Sequence, residues 1–264
     1  MDSRASAAAF RIGIVCATTL LVCATIFLLC ATIFAQFEIH HERADVLFAR
    51  LEYTGFYDDK YLKNWYTDYP AADEHFTIFL NRVTNMRTSG VLVSPSSDDL
   101  YRYPLLYTVE PEQMKLSDFE VRNLREYLYR GGFWFVDDFH GDIEFDAFRL
   151  TLERILPSAY FVELDTAHSL FHIFYDIEQI EQVVNDSLIL CRPSCDQFEN
   201  GESGRIPKVF AVFLPGTSDI SIVVSFNNDL GDGWEHADNP IYPPEQTTFA
   251  VKFGVNVVLY SLTH

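Results

Sequence analysis

The sequence predicts an α/β domain with a mainly parallel β-sheet and helices on both of its faces. Short apolar runs of strand length alternate with longer segments whose apolar residues recur at helical spacing, the pattern of parallel strands joined by crossover helices. The run Phe133–Val136 is continuously apolar, as expected for a strand that is covered on both faces. The chain has 264 residues, 48% of them hydrophobic, which is enough for one substantial core. We therefore expect a single domain over residues 36–264.

The first 35 residues are predicted to be a signal peptide or an N-terminal membrane anchor. Arg4 and Arg11 precede residues 12–37, which contain no charged side chain. Because basic flanks remain in the cytoplasm, the domain is expected to be exported across the cytoplasmic membrane, either periplasmic or anchored on the outer side. The apolar run is long enough to cross a bilayer, whereas Ala35 before Gln36 is typical of a cleavage site. We prefer cleavage, and an uncleaved transmembrane helix stays open as the alternative.

The domain is strongly acidic. The whole chain has a formal net charge of -19, and residues 36–264 contain 17 Lys and Arg against 37 Asp and Glu, a net charge of -20. Affinity for phosphate backbones comes largely from Lys and Arg, so this charge excludes nucleic-acid binding. It disfavours anionic lipid surfaces for the same reason. Membrane contact is therefore expected only through the N-terminal segment, if that segment is not cleaved.

Cys191 and Cys195 lie in the sequence CRPSC of the predicted domain. The oxidising compartment outside the cytoplasm permits a disulfide between them. A redox role would favour the tighter CxxC spacing in a thioredoxin-like context, so we prefer a structural bridge.

The first elements in chain order are a strand, a helix and two more strands. Residues 46–53 alternate apolar with polar side chains, which predicts a strand. A helix is expected to begin after Pro70, where apolar residues recur at helical spacing. Residues 90–93 and 105–109 are predicted to be the next two strands.

Two helices are predicted to flank the central strand. Ser117 with Glu120 forms a capping-box pattern at the start of the first, which ends at Gly131. Asp142 can cap the second, whose apolar periodicity continues until Pro157.

The last third of the sequence is predicted to contain a hairpin and one ambiguous segment. Lys208–Leu214 and Ile220–Phe226 are expected to be two strands that form a hairpin at one edge of the sheet. Residues 249–260 fit both strand and helix periodicity. Residues 186–206 are expected to be a surface excursion.

Polar residues follow the central strand in the sequence GGFWFVDDFHG, at residues 131–141. Asp137, Asp138 and His140 are expected at the carboxyl end of the strand, where ligands bind in open α/β sheets. Consecutive residues on a strand point to opposite faces, so one of the two aspartates is expected to be structural unless the turn reorients them. Asp138 and His140 could hold a divalent cation or polar ligand together with a distant group. The alternative is that Asp138 only accepts amide hydrogens of the turn.

Asp68 and Tyr69 form a second candidate group, in the sequence DYPAAD. Asp68 and Asp73 flank the start of a helix, where carboxylates complement free backbone N–H groups, and this explains both without catalysis. Tyr69 could line a pocket together with Trp65, although aromatic residues at the margin of a core are common.

Asn227, Asp229 and Trp234 belong to the polar sequence NNDLGDGW, directly after a predicted strand. A loop of this composition could bind calcium or sugar hydroxyls, and ordinary turn chemistry is the alternative. The acidic residue at the twelfth position of an EF-hand loop is missing, which excludes that calcium motif.

His168 and His172 are four positions apart and could form a metal pair if the segment is helical. The HExxH signature is missing, so a structural role for His168 is preferred. The sequence also lacks a Walker loop, a Rossmann glycine fingerprint and a GxSxG elbow, which argues against common nucleotide enzymes and serine hydrolases.

Several separated signatures form one pattern. They are Trp65, Asp68-Tyr69-Pro70, Ala72-Asp73, Tyr103-Pro104, Gly131-Gly132, Asp137-Asp138, His168, Gly204-Arg205, Phe253-Gly254 and Asn256. Together they resemble the bacterial domain of unknown function family 4159 over residues 46–263. The resemblance implies a flavodoxin-like sheet related to class I glutamine amidotransferases, with a helical final segment. It also implies a setting among cell-envelope proteins.

The chain departs from the amidotransferases at the turn after the central strand. Those relatives carry a cysteine nucleophile there, whereas this turn reads VDDFHG, with neither cysteine nor serine. We therefore expect a non-catalytic binding or assembly component of the cell envelope, with an envelope protein as partner and no known cofactor. The alternative is a metal-assisted hydrolase that acts on a carbohydrate-like substrate and uses Asp138, His140, His168 and a divalent cation.

Overall fold

A seven-stranded sheet organises the chain in the computed structural model. The structure describes residues 44–56, 64–191, 194–195 and 198–264, and Asp45–His264 forms one compact unit. The strands in chain order are β1 Val46–Leu51, β2 Thr88–Val93, β3 Leu105–Val109, β4 Phe133–Asp137, β5 Phe161–Leu164, β6 Lys208–Phe213 and β7 Ile220–Phe226. Their order in the sheet is β2-β1-β3-β4-β7-β6-β5. The predicted signal peptide or anchor, residues 1–35, lies outside the described residues.

Six α-helices connect or cover these strands within the described residues. They are α1 Ala71–Thr84, α2 Asp118–Tyr129, α3 Gly141–Ile155, α4 Asp186–Cys191, α5 Leu230–Glu235 and α6 Pro244–Thr263. Short 3₁₀ turns occupy Asp98–Arg102, Pro111–Gln113, Ser169–Phe171 and Gly201–Gly204. In this described part of the chain, no helix combines the length and the apolar character that a membrane crossing requires.

The predicted mixed α/β architecture with a mostly parallel sheet is confirmed. Strands β2, β1, β3, β4 and β7 pair in parallel, while β6 is antiparallel to both β7 and β5. The carboxyl ends of the five parallel strands therefore lie at one edge of the sheet, which we call the carboxyl edge. Residues that follow β1, β3, β4 and β7 can meet there.

Hydrophobic cores lie on both faces of the sheet, because alternate residues of a strand point to opposite sides. Tyr107 and Phe135 belong to the core under α1, α5 and α6, where Phe76 stacks on Trp234 with ring centroids 4.2 Å apart. Leu106, Trp134 and Val136 belong to the opposite core, under α2 and α3. Each core is continuous across several strands, so the sheet is a rigid support for its carboxyl edge.

The structure corrects the predicted position of the hairpin, adds one strand and resolves the ambiguous segment. The hairpin of β6 and β7 is present, but it is not at the edge of the sheet, because β7 pairs with β4 and β5 covers β6. Strand β5 was not predicted, since it has only four residues and three of them are at least partly exposed. The ambiguous segment at residues 249–260 is helical and forms part of α6.

The helix starts were predicted with mixed success. The capping box at Ser117 and Glu120 is present, with each side chain accepting the hydrogen of the other residue's backbone N–H. Asp142 does not cap α3. The N-cap residue is His140, and Asp142 lies exposed in the first turn, where a carboxylate still complements the helix dipole.

Candidate functional site

Three separate parts of the chain bring carboxylates to the carboxyl edge of the sheet. Asp138 follows β4, Asp229 follows β7, and Asp68 lies in the segment before α1. One carboxylate oxygen from each lies within 4.8 Å of the other two. We call these three residues the inner triad. All three were candidates for ligand binding on the sequence, in three separate groups, and the structure brings them together.

The inner triad combines two buried residues with the partly buried Asp68, and each has an oxygen atom that receives no hydrogen bond from the described residues. Asp138 is 2% exposed and Asp229 is fully buried. The Oδ2 atoms of Asp68, Asp138 and Asp229 have no accessible surface and no hydrogen-bond partner among the described residues. Buried carboxylates without donors are costly, because ionised groups lose their hydration without compensation. This arrangement is stable only if protons or a cation neutralise the carboxylates.

His140 and Glu199 lie beside the inner triad. His140 Nε2 is 3.4 Å from Asp138 Oδ1 and 3.5 Å from Glu199 Oε1, and the three side chains place ligand atoms within 4.8 Å of one another. His140 is 1% exposed, whereas the Glu199 side chain is 17% exposed. An imidazole nitrogen is thereby added to an otherwise all-oxygen set of ligand atoms.

A second set of side chains extends the acidic site towards the solvent. Asp232 lies with Asp68 and Glu235 in one group and with Asp186 and His236 in another, each within 4.8 Å. Asp232 is nearly buried, but 23–34% of the side chains of His236, Glu235 and Asp186 is exposed. We call Asp186, Asp232, Glu235 and His236 the rim group. It connects the buried triad to the surface.

The carboxyls of the site perturb one another. Burial is the largest cause that raises the pKa of Asp68, Asp229 and Asp232 well above the usual range, and repulsion among these residues and Asp138 raises it further. Protons and a divalent cation would therefore compete for the same oxygen atoms.

Asp137 has a different environment from its neighbour Asp138. Its Oδ2 accepts hydrogen bonds from the Tyr107 hydroxyl and the Leu230 backbone N–H. Burial, followed by repulsion from Asp138, raises the pKa of Asp137 to about 8. Asp137 thus ties β3 and β4 to α5, and it is not part of the inner triad.

Left-handed backbone conformations aim the side chains of the site. Asp68, Asp138 and Asn227 have φ angles of 62°, 56° and 57°. Asp and Asn adopt this region more readily than other non-glycine residues, although it remains strained. Asp137 and Asp138 lie in different environments, as expected for consecutive residues at a strand end, and Asp137 has the structural role that was predicted for one of the two.

Asn227 and Asn228 hold the loops of the site through their side-chain amides. Asn227 Oδ1 accepts from Gly141 N, and its Nδ2 donates to the carbonyls of Ser203 and Ile206. Asn228 Oδ1 accepts from Val183 N. Asn227 was a ligand-binding candidate, but these contacts engage its oxygen and its amide in fixing the backbone.

The prediction that Asp68 and Asp73 serve the start of α1 holds for Asp73 alone, which lies in the first turn, where its carboxylate complements the helix dipole. Helix α1 has no side-chain cap, and Asp68 turns towards the inner triad. Asp73 forms a buried ion pair with Arg50 in β1. Arg50 also donates to the carbonyls of Trp65 and Thr67, and so fixes the segment that presents Asp68.

Three further candidates lie outside the triad. Tyr69 is half-buried, and the centroid of its ring lies 5.8 Å from Cζ of the Arg50 guanidinium. Trp234 is fully buried in the core, so it does not line an open loop, and residues 230–235 are helical. His168 packs on Tyr260, which in turn contacts Phe133 at the opposite end of β4. The structure therefore does not bring His168 to Asp138 and His140, as the hydrolase hypothesis requires.

Two other sequence features have local structural roles. His168 Nδ1 accepts from Leu170 N, and His172 contacts Asp176 and the Thr166 carbonyl across a 3₁₀ turn, so the two histidines do not form a helical metal pair. Cys191 and Cys195 form a disulfide with Cα atoms 5.8 Å apart.

Comparison with protein families identifies the chain. The model of a domain of unknown function (DUF4159) matches residues 47–262, nearly all of the described unit. The chain belongs to the DUF4159 family. Comparison with curated proteins gives no match.

The DUF4159 site contains residues that the sequence patterns did not single out. Glu199 lies in the segment interpreted as a surface excursion, and the neighbouring Asn200 donates to the His140 carbonyl. Asp232 and Arg50 were also missed. The one available signal was the arginine inside an otherwise apolar strand, since a buried Arg requires an acidic partner.

Another acidic group lies close to the site in the DUF4159 domain. Glu110, Glu112 and Glu144 have carboxylate oxygens within 4.8 Å of one another, near the ends of β3 and β4. Burial raises the pKa of Glu112 to about 6. Glu144 accepts a hydrogen bond from His140 N, which connects this group to the backbone of the site.

Proposed function

We propose that this chain is a divalent-cation-binding domain, with the ion held by Asp68, Asp138 and Asp229. The observation that carries the proposal is the set of buried Oδ2 atoms that accept no hydrogen bond from any described residue. One divalent cation would neutralise two carboxylates and coordinate oxygens from three parts of the chain. It would thereby join the ends of β4 and β7 to the segment before α1.

The available ligand atoms favour a cation that accepts both oxygen and nitrogen. Carboxylates suit Mg²⁺, Ca²⁺ and Mn²⁺, whereas imidazole suits transition metals. His140 next to Asp138 makes Mn²⁺ the best match and the most useful probe.

The cellular role that we propose is a binding or assembly function in the cell envelope. The apolar segment at residues 12–37 and the Cys191–Cys195 disulfide support export to an oxidising compartment. The sheet order supports a flavodoxin-like, amidotransferase-like ancestry, in which the turn after β4 would have lost its nucleophile. The deep burial of Asp138 and Asp229 supports a binding role, because a substrate cannot reach them in this conformation.

A metal-assisted hydrolase that acts on a carbohydrate-like substrate is the second candidate. The partly exposed rim group favours it, since an ion near His236 would be accessible from the solvent. His168 is no longer part of this hypothesis, and His140 and His236 are the bases available near the ion.

Thermal unfolding tests the cation proposal. The full chain is treated with chelator and scanned with and without added Mn²⁺, beside Asp138→Asn, which removes a charge but tolerates the left-handed backbone. At about 100 times Kd, a ligand of the folded state contributes about 2.7 kcal/mol, and Tm should rise by roughly 5–10 °C. Asp138→Asn should lose most of this rise.

Asp238→Asn is the matched control, because Asp238 is exposed and lies outside the site. It should keep the full rise in Tm. An equal rise in all three proteins would place Mn²⁺ elsewhere on the surface, and no rise in the wild type would refute the proposal.

A further inference from the structure

The acidic site contains more buried carboxyl groups than one divalent cation can neutralise. Asp68, Asp138, Asp229 and Asp232 all lie at the carboxyl edge, and Asp138, Asp229 and Asp232 are at most 3% exposed. If all four are ionised, one divalent cation leaves two negative charges in a region of low dielectric. Two uncompensated negative charges are costly in such a region, and a second divalent cation would neutralise them.

Asp68 belongs to two groups of ligand atoms at once. One of its carboxylate oxygens lies within 4.8 Å of ligand atoms of Asp138 and Asp229 in the inner triad, and one lies within the same distance of Asp232 and Glu235 in the rim group. Its Oδ2 is buried without a hydrogen-bond partner among the described residues. A carboxylate in this position can donate one oxygen atom to each of two ions.

The missing side chain of Gly231 leaves room for the Asp68 carboxylate between the inner triad and the rim group. A Cβ atom at position 231 would collide with Asp68 Oδ2 and would lie 3.5 Å from Asp229 Oδ1. The glycine thus allows Asp68 to approach the first turn of α5, which also carries Asp232. The fully buried Asp229, with its own unpartnered Oδ2, points into the same space.

We propose that the site binds two divalent cations, with Asp68 as the bridging carboxylate between an inner ion at Asp138 and Asp229 and an outer ion at Asp232. The outer ion would draw further ligands from Glu235, Asp186 and His236, which combine carboxylate oxygens with an imidazole. Ions that share a carboxylate are typically about 3.5–4 Å apart. This inference rests on the proposed function, because it presupposes the inner ion.

The two ions differ in accessibility, and this difference indicates the ligand class. The inner ion is enclosed, whereas the side chains around the outer ion are 23–34% exposed apart from Asp232. The outer ion therefore has coordination positions open to solvent. A neutral oxygen donor, such as a hydroxyl group or water, is the ligand chemistry that suits these positions, because the negative charge of the domain repels anions.

Equilibrium dialysis of the full chain against Mn²⁺ tests the second ion. Wild type and Asp238→Asn should bind two equivalents. Asp232→Asn should bind one, because Asn keeps an acceptor for Asp186 N but loses the charge that holds the outer ion. His236→Gln provides a second variant at a partly exposed position, and it should weaken the second equivalent by at least about tenfold.

Electron paramagnetic resonance distinguishes a bridged pair from an unrelated second ion. Two Mn²⁺ ions that share Asp68 should give a spin-coupled signal in the wild type, and Asp232→Asn should show an isolated Mn²⁺ instead. One equivalent in both proteins would overturn the two-ion inference and leave the proposed function intact. Two uncoupled ions would also overturn it, while no bound Mn²⁺ would refute both proposals.

Discussion

Single residues hold the carboxylates at the carboxyl edge in position, and Arg50 is the clearest case. This fully buried guanidinium binds Asp73 and two carbonyls of the segment that precedes α1. Burial disfavours the charged guanidinium, but attraction to Asp73 and other acidic groups keeps its pKa raised overall. The pair holds Asp68 in position although neither partner belongs to the triad.

Asp73→Asn tests this ion pair. Removing one partner of a buried pair leaves the other charge uncompensated, so the free energy of unfolding should fall by about 3–5 kcal/mol. The measurement is chemical denaturation at constant pH, in chelator. Asp99→Asn is the matched control, because Asp99 pairs with Arg102 at the exposed surface and its loss should change stability little. Equal effects of the two substitutions would contradict the structural role of Arg50.

At this scale the sequence singled out Asp68, Asp138, His140 and Asp229 as candidate ligand-binding residues, but it could not predict that they lie together or that Glu199 joins them. The turn after a buried strand is a local pattern, whereas Asp68 and Glu199 reach the site through long-range chain packing. Asp68 was misinterpreted because an acidic residue before a helix has a sufficient local explanation in the free N–H groups of the first turn. In the structure Asp68 has a left-handed φ, and its carboxylate lies beside those of Asp138 and Asp229 instead.

Among the elements, α5 shows how packing overrides local preference. It has two glycines in six residues, and glycine is a poor helix former. At Gly231, however, any side chain would displace the Asp68 carboxylate. The element is helical because Asp229 caps it and because its residues are buried between α1 and α6.

Gly231→Ala separates these two effects. In an open helix the substitution stabilises by about 1 kcal/mol. Here it should instead lower the Tm rise caused by Mn²⁺, because Asp68 must move. Gly90→Ala is the control, since its added Cβ makes an ordinary 3.5 Å contact with Asp73. If Gly231→Ala kept the full Mn²⁺ effect, the placement of Asp68 at the ions would be wrong.

Helix and strand positions were largely predictable where a local signal was strong. The capping box at Ser117 and the continuous apolar run of β4 are examples. Strand β5 has no such signal, because an edge strand of four residues buries little surface. The periodicity of α6 was ambiguous because the helix is buried on much of its circumference, which blurs a 3.6-residue pattern.

For the whole molecule, composition and alternation of elements were sufficient to predict the architecture. They could not give the order of strands, because β7 lies next to β4 although α3, β5, α4 and β6 separate the two strands in sequence. Because β4 and β7 are neighbours in the sheet, Asp138 and Asp229 meet at its carboxyl edge. The DUF4159 family match and the mixed α/β fold agree with what the sequence predicted.

Anomalous X-ray diffraction from crystals of the Mn²⁺-loaded protein tests the central claim most directly. We predict an anomalous peak within bonding distance of carboxylate oxygens of both Asp138 and Asp229, and no peak at that position in crystals of Asp138→Asn. A site that is empty of Mn²⁺, or peaks confined to exposed residues such as His172, would contradict the account. In that case protons would be what neutralises the buried carboxylates.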